Sequence, residues 1–138
     1  MRATVRKALL LIPLLAWAAD SPAQQVLDLF TELASSLASG DSTAFLAKFD
    51  RKMPGYEKLR ENITALTKQA DVTSYVDLPK NEGDEQKREV EVTWKMQIRR
   101  GQDATSEPAR EQTLRCTVEK QGRSWKVTAL AAIEFFKP

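Results

Sequence analysis

From Arg88 to Arg100 the chain reads REVEVTWKMQIRR and alternates without a break. Val90, Val92, Trp94, Met96 and Ile98 take one parity; Glu89, Glu91, Thr93, Lys95, Gln97 and Arg99 take the other. Successive side chains of a strand point to opposite faces, so the pattern predicts a strand with one apolar face and one wet face. Around it, DVTSYVDLP (71–79), EQTLRCTVEK (111–120) and RSWKVTALAAIEFFKP (123–138) read as three more strands. The loop KNEGDEQ, the loop GQDATSEPA and the turn Gln121-Gly122 join them as hairpins. Leu114, Cys116 and Val118 share a parity on the third strand, and Trp125, Val127 and Ala129 on the fourth. AAIEFF blurs that alternation, which predicts a bulge or burial on both faces.

The first half has a helical period instead. In QQVLDLFTELASSLASG, Val26, Phe30, Leu33 and Leu37 recur at helical spacing, Leu27 and Ala34 widen the stripe, and Gly40 stands where a left-handed cap ends a helix. Asp41 is placed to cap a short helix, STAFLAKFD, with Phe45, Leu46 and Phe49 as its apolar face. Pro54 fits the first turn of a third helix, with Tyr56, Leu59, Ile63 and Leu66 as its stripe. Three helices with one apolar face each must bury those faces on something, and the alternating strands offer the surface. The expected fold is therefore α+β: three N-terminal helices packed on a strongly curved four-stranded antiparallel sheet, a cone or cystatin-like roll.

The beginning of the chain changes the picture of charge and compartment. MRATVRK is basic, an apolar run follows from Ala8 to Ala19, and Ala16-Trp17-Ala18 and Ser21-Pro22-Ala23 both fit the small-x-small rule of signal peptidase. The run is shorter than the roughly 20 apolar residues a bilayer requires. Residues 1–23 are read as a signal peptide and residues 24–138 as one domain, secreted or periplasmic and free of the membrane after cleavage. Removing Arg2, Arg6, Lys7 and Asp20 from 21 basic and 19 acidic side chains leaves 18 of each. A neutral chain with no basic stripe is not expected to bind nucleic acid.

Candidate chemistry is sparse. The chain has no histidine and a single cysteine, Cys116, which sits on an apolar parity and reads as a buried, inert thiol. Neither a calcium-loop spacing of acids nor a zinc-ligand set occurs, so no metal and no cofactor are expected. Asn62-Ile63-Thr64 matches a glycosylation sequon on a predicted helix and is read as chance.

A long first helix followed by GDSTAFLAKFD (40–50), the helix PGYEKLRENITAL and the closing hairpin CTVEKQGRSWKVTAL resemble the nuclear transport factor 2-like superfamily. That superfamily is the α+β cone that also holds ketosteroid isomerases and SnoaL-like cyclases. The resemblance spans nearly all of residues 24–138 and implies a cone-shaped interior, and pairing of two copies through the sheet face. Its enzymes place a carboxylate, and often Tyr, Asp, Arg or His, at the pocket wall; none carries over to the apolar parity here. Tyr75 and Asp77 share the wet parity of the first strand, and Glu134 opposes Ile133 and Phe135 in parity. No catalytic residue is assigned.

The expected role is a non-catalytic domain. Either it binds a small apolar ligand in the cone, lined by Phe45, Phe49, Tyr56, Val92, Trp94, Met96, Leu114, Cys116 and Trp125, or it meets a protein partner, such as a second copy, through Thr93, Lys95, Arg115, Thr117 and Thr128 on the sheet face. The competing expectation is an isomerase, dehydratase or cyclase using a carboxylate such as Asp77 or Glu134.

Overall fold

The computed structural model describes residues 20–101 and 107–138. The apolar run and the Ala16-Trp17-Ala18 motif lie outside the described residues. Helix α1 runs Pro22–Ala38. The Ser21 hydroxyl accepts from the Gln24 amide at 3.2 Å, and Pro22 occupies the opening turn, where its missing N–H costs nothing. The helix ends in a Schellman turn: the Asp41 amide donates to the Ser36 carbonyl and the Gly40 amide to Leu37, with Gly40 at φ 72°. Its buried stripe is Val26, Leu29, Phe30, Leu33, Ala34 and Leu37; Leu27, expected to widen it, faces outward and Leu29 takes that place.

Helix α2 is a short turn, Ser42–Leu46, capped by the Asp41 carboxylate, which accepts from the Ala44 amide at 3.0 Å. Helix α3 runs Tyr56–Gln69. Pro54 precedes it rather than opening it: Gly55, at φ 82°, is the capping residue and supplies the left-handed bend. Glu57 in the first turn and Lys68 in the last match the helix dipole.

Strands β1 (Asp71–Gly83), β2 (Lys87–Arg99), β3 (Arg110–Gln121) and β4 (Ser124–Leu130) form one antiparallel sheet in chain order. β1 is longer than expected, because KNEG pairs with β2 instead of looping. The turn after it is closed by Asp84, whose carboxylate accepts from the Gln86 and Lys87 amides at 2.8 and 2.9 Å, and those bonds lower its pKa.

Register slips at two places, between Asp77 and Lys80 on β1 and between Thr117 and Val118 on β3. Bulges of this kind bend and twist a sheet. Pro79 sits at the first, where its missing N–H breaks no regular ladder. The second changes the parity of β4: Val127 pairs with Val118, but Ala129 pairs with Thr117 and turns outward, and Leu130 takes the inner place opposite Cys116. After Leu130 the chain leaves the sheet. Ala132 adopts φ 61° and Ile133–Phe136 form a 3-10 turn that buries Phe135 and Phe136, which is how AAIEFF breaks its alternation.

The link between α2 and α3 is stitched to the sheet. The Asp50 amide donates to the Val127 carbonyl and the Val127 amide to the Lys48 carbonyl, both at 2.9 Å, a parallel bridge at the edge of β4. A single apolar core joins the helices to the inner face of the sheet. No helix among the described residues is long and apolar enough to cross a membrane.

Candidate functional site

The inner face of β2 delivers Val92, Trp94 and Met96 to the middle of the cone, and β3 adds Leu114 beside Val92. Trp94 is 1% exposed. Phe136 stands perpendicular to it with ring centroids 5.1 Å apart, Phe45 lies at 6.3 Å and Phe30 at 6.4 Å. Phe45 also meets Phe49 at 5.1 Å and Phe136 at 5.8 Å. The indole N–H donates to the Ser74 hydroxyl on β1, so the one polar atom of this ring is satisfied.

The candidate pocket residues thus divide by location. Phe45, Val92, Trp94, Met96 and Leu114 pack against one another and line none of the surface clefts described here. Phe49 and Tyr56 form the wall of a cleft of about 600 Å³ beside α2. Trp125 lies under α1, donating to the Gln25 side chain at 2.8 Å. Cys116 borders a shallow cleft of about 400 Å³ beside Arg115 and Thr117. Burial, and then the nearby Glu89 carboxylate, push its thiol pKa up to about 12, so it stays protonated and unreactive at neutral pH.

Ionisable groups stand away from this interior. Tyr75 is 65% exposed, and Asp77 and Glu134 are exposed as well. Arg88, the buried cation, is consumed by structure: its guanidinium donates to the Asn81 side chain at 2.8 Å, the Asn81 carbonyl at 2.7 Å and the Asp84 carbonyl at 3.3 Å. Among the described residues, no group of three or more His, Cys, Asp or Glu is placed to hold a metal ion. Asn62, the sequon asparagine, is 5% exposed within α3.

The outer face of the sheet is the other candidate surface. Thr93 and Thr113 share a hydrogen bond at 2.9 Å, and Thr117 donates to Glu89 at 2.9 Å. Lys95 stands between Tyr75 on β1 and Glu111 on β3, and Arg115 stands opposite Glu91. Thr128 sits at the β4 bulge and donates to the Thr117 carbonyl at 3.4 Å. The five residues proposed for this face are therefore brought together on one polar surface with charges of both signs. Phe136 and Phe30 are the interior residues that strand parity did not single out. Paired phenylalanines after a broken alternation were the available signal for the first, and the α1 stripe for the second.

No family model matches the sequence, and no curated protein matches it. Solved structures do. A conserved protein from Planctomyces limnophilus superposes with a TM-score of 0.69 at 5% identity, covering 78% of this chain and 91% of that one. A nuclear transport factor 2-like superfamily protein from Salmonella enterica serovar Typhimurium gives 0.64 at 14%, covering 79% and 87%. A candidate scytalone dehydratase from Novosphingobium aromaticivorans gives 0.65 at 12%, covering 78% and 79%. At these identities the likeness is one of fold: the chain has the α+β architecture of the nuclear transport factor 2-like superfamily.

Proposed function

We propose that this is an exported, non-catalytic domain that acts by association, docking a second copy of itself through the outer face of the sheet. The observation that carries the reading is the interior around Trp94, where Phe30, Phe45 and Phe136 stand in place of a cavity and no carboxylate is buried among them. A general base must lie within about 3 Å of the proton it takes. Asp77 and Glu134 are exposed to solvent, outside the cone, which weighs against the dehydratase or isomerase reading. The same packing weighs against an apolar guest in the cone. Thr93, Lys95, Arg115, Thr117 and Thr128 give the outer face short, polar, partly pre-bonded side chains, the composition of a wet interface.

Light scattering of the mature chain at increasing concentration tests it. A dimer is expected, and Thr93→Glu, which places a carboxylate at the centre of the face beside Thr113, is expected to give a folded monomer with an unchanged circular dichroism spectrum. A wild-type chain that stays monomeric at all concentrations would sink the proposal.

A further inference from the structure

The cleft of about 600 Å³ beside α2 has the makings of a ligand site separate from both the cone and the outer sheet face. Its volume falls within the roughly 300–1,000 Å³ typical of small-molecule sites. Leu46, Phe49 and the Tyr56 ring give it an apolar floor, and Phe49 separates it from the packed interior, touching Phe45 on the other side. Arg51, Lys52 and Lys126 line the same cleft against a single acid, Asp50.

The charges there are not equally available. Both oxygens of Asp50 are already engaged: one accepts from the Lys52 amide at 2.8 Å and the other from the Gln121 side chain at 2.8 Å. These bonds hold its pKa below the usual carboxylate value, so it remains a fixed, satisfied anion. Lys126 donates to the Ala47 carbonyl. Arg51 and Lys52 are exposed and make no ion pair among the described residues. Tyr56 adds a polar group to the same wall. Its ring is largely buried and lines the cleft, and its hydroxyl, which makes no side-chain hydrogen bond to the described residues, is open to the cleft.

We propose that this cleft binds a small organic acid, its apolar body against Leu46, Phe49 and Tyr56 and its carboxylate held by Arg51, Lys52 and the Tyr56 hydroxyl. Neither half of the site suffices alone. Exposed cations bind a small anion weakly in water, and an open apolar floor of this size grips a neutral hydrocarbon poorly. Together they select amphipathic acids over both neutral alcohols and bare anions.

The test uses 4-phenylbutyrate as the probe, with 4-phenylbutanol and acetate as its uncharged and bodiless counterparts. Amide chemical shifts of the isotope-labelled chain are followed in titration. Saturable binding of 4-phenylbutyrate is expected with a Kd of about 1 mM or below, with shifts centred on Ala47, Asp50, Lys52 and Gln121. The alcohol and acetate are each expected to bind at least about tenfold more weakly. A variant carrying Arg51→Glu and Lys52→Glu, both exposed and so harmless to folding, is expected to lose at least about tenfold. Tyr56→Phe, which keeps the ring and removes only the hydroxyl, is expected to weaken binding about two- to fivefold. Absence of saturable binding, equal binding by the alcohol or acetate, unchanged affinity in either variant, or shifts centred elsewhere would each overturn the proposal.

Discussion

The Phe136 and Trp94 rings stand nearly perpendicular, at 88° with centroids 5.1 Å apart, the closest of the three aromatic contacts that enclose that tryptophan. Phe136 is fully buried although it lies outside every strand and α-helix, in the 3-10 turn after β4. Truncating it to alanine is expected to cost about 3–5 kcal/mol, the range for a buried phenylalanine whose surroundings cannot collapse. Urea unfolding followed by tryptophan emission would measure it. A loss below about 1 kcal/mol would mean that the interior repacks freely and that the cone is not held shut by this ring.

Gly55 and Ile133 are in similarly close relation. A methyl group added at Gly55 would come within 2.2 Å of the Ile133 δ-carbon, and the backbone there is at φ 82°. The positive φ alone is expected to make Gly55→Ala destabilising by about 1–2 kcal/mol. The clash adds to it, softened because the offended atom is the end of a flexible side chain. Thermal melts of Gly55→Ala in the native and Ile133→Ala backgrounds separate the two: the cost should be smaller in the second, leaving the backbone part.

The Cys116 thiol predicts an alkaline weakness. Its folded pKa is raised to about 12 from an ordinary value of 9.0, first by burial and then by Glu89. Below the unfolded value both states keep the proton and nothing is lost. Above it the unfolded chain releases the proton and the folded one does not, so stability falls by about 1.4 kcal/mol per pH unit until the folded pKa is reached. Denaturation curves near pH 8 and pH 10 should show this drop in the wild type and lack it in Cys116→Ala, whose lower starting stability does not affect the slope. A thiol reagent should label the native chain only as fast as it opens.

The start of α1 bears on where a signal peptidase would cut. Ser21 caps the helix, Pro22 opens it, and the Ala23 carbonyl accepts from the Asn81 side chain at 2.9 Å. A cut after Ala23 removes all three, whereas a cut after Ala18 keeps them. On the export proposed above, cleavage is therefore expected after Ala18 rather than after Ala23, so that the chain begins at Ala19, which the intact mass of the processed protein would show. A chain begun at Gln24 is expected to be less stable by about 1–2 kcal/mol.

The alternation of β2 and β3 specified which side chains face the core, because one face is covered by helices and a one-residue slip would bury charge. The caps at Gly40 and Asp41 were legible for a similar reason, since local backbone geometry admits few residue types there. What depended on tertiary pairing was not legible. The outward turn of Ala129 follows from a bulge at Thr128, visible only in how β4 pairs with β3, and the extension of β1 through Asn81 depends on its pairing with Val90. For the candidate site, parity could place Trp94 inside but could not say whether the space beside it stays open. That was decided by Phe136, which arrives from a 3-10 turn with no periodic signature. The cleft at Phe49 and Tyr56 needed the β3–β4 hairpin folded back alongside α2, a meeting of segments far apart in the chain.

The hydrogen bond from Trp125 to Gln25 joins residues 100 positions apart. Because the helices come first and the strands follow, a chain that emerges N-terminus first presents the apolar stripe of α1 before β1 and β2 exist to cover it. Closing so long a loop comes late in folding. During that interval Val26, Phe30 and Leu33 stay exposed to whatever lies nearby, so the yield of this domain in a cell should depend on a holding chaperone more than on the stability of the finished fold.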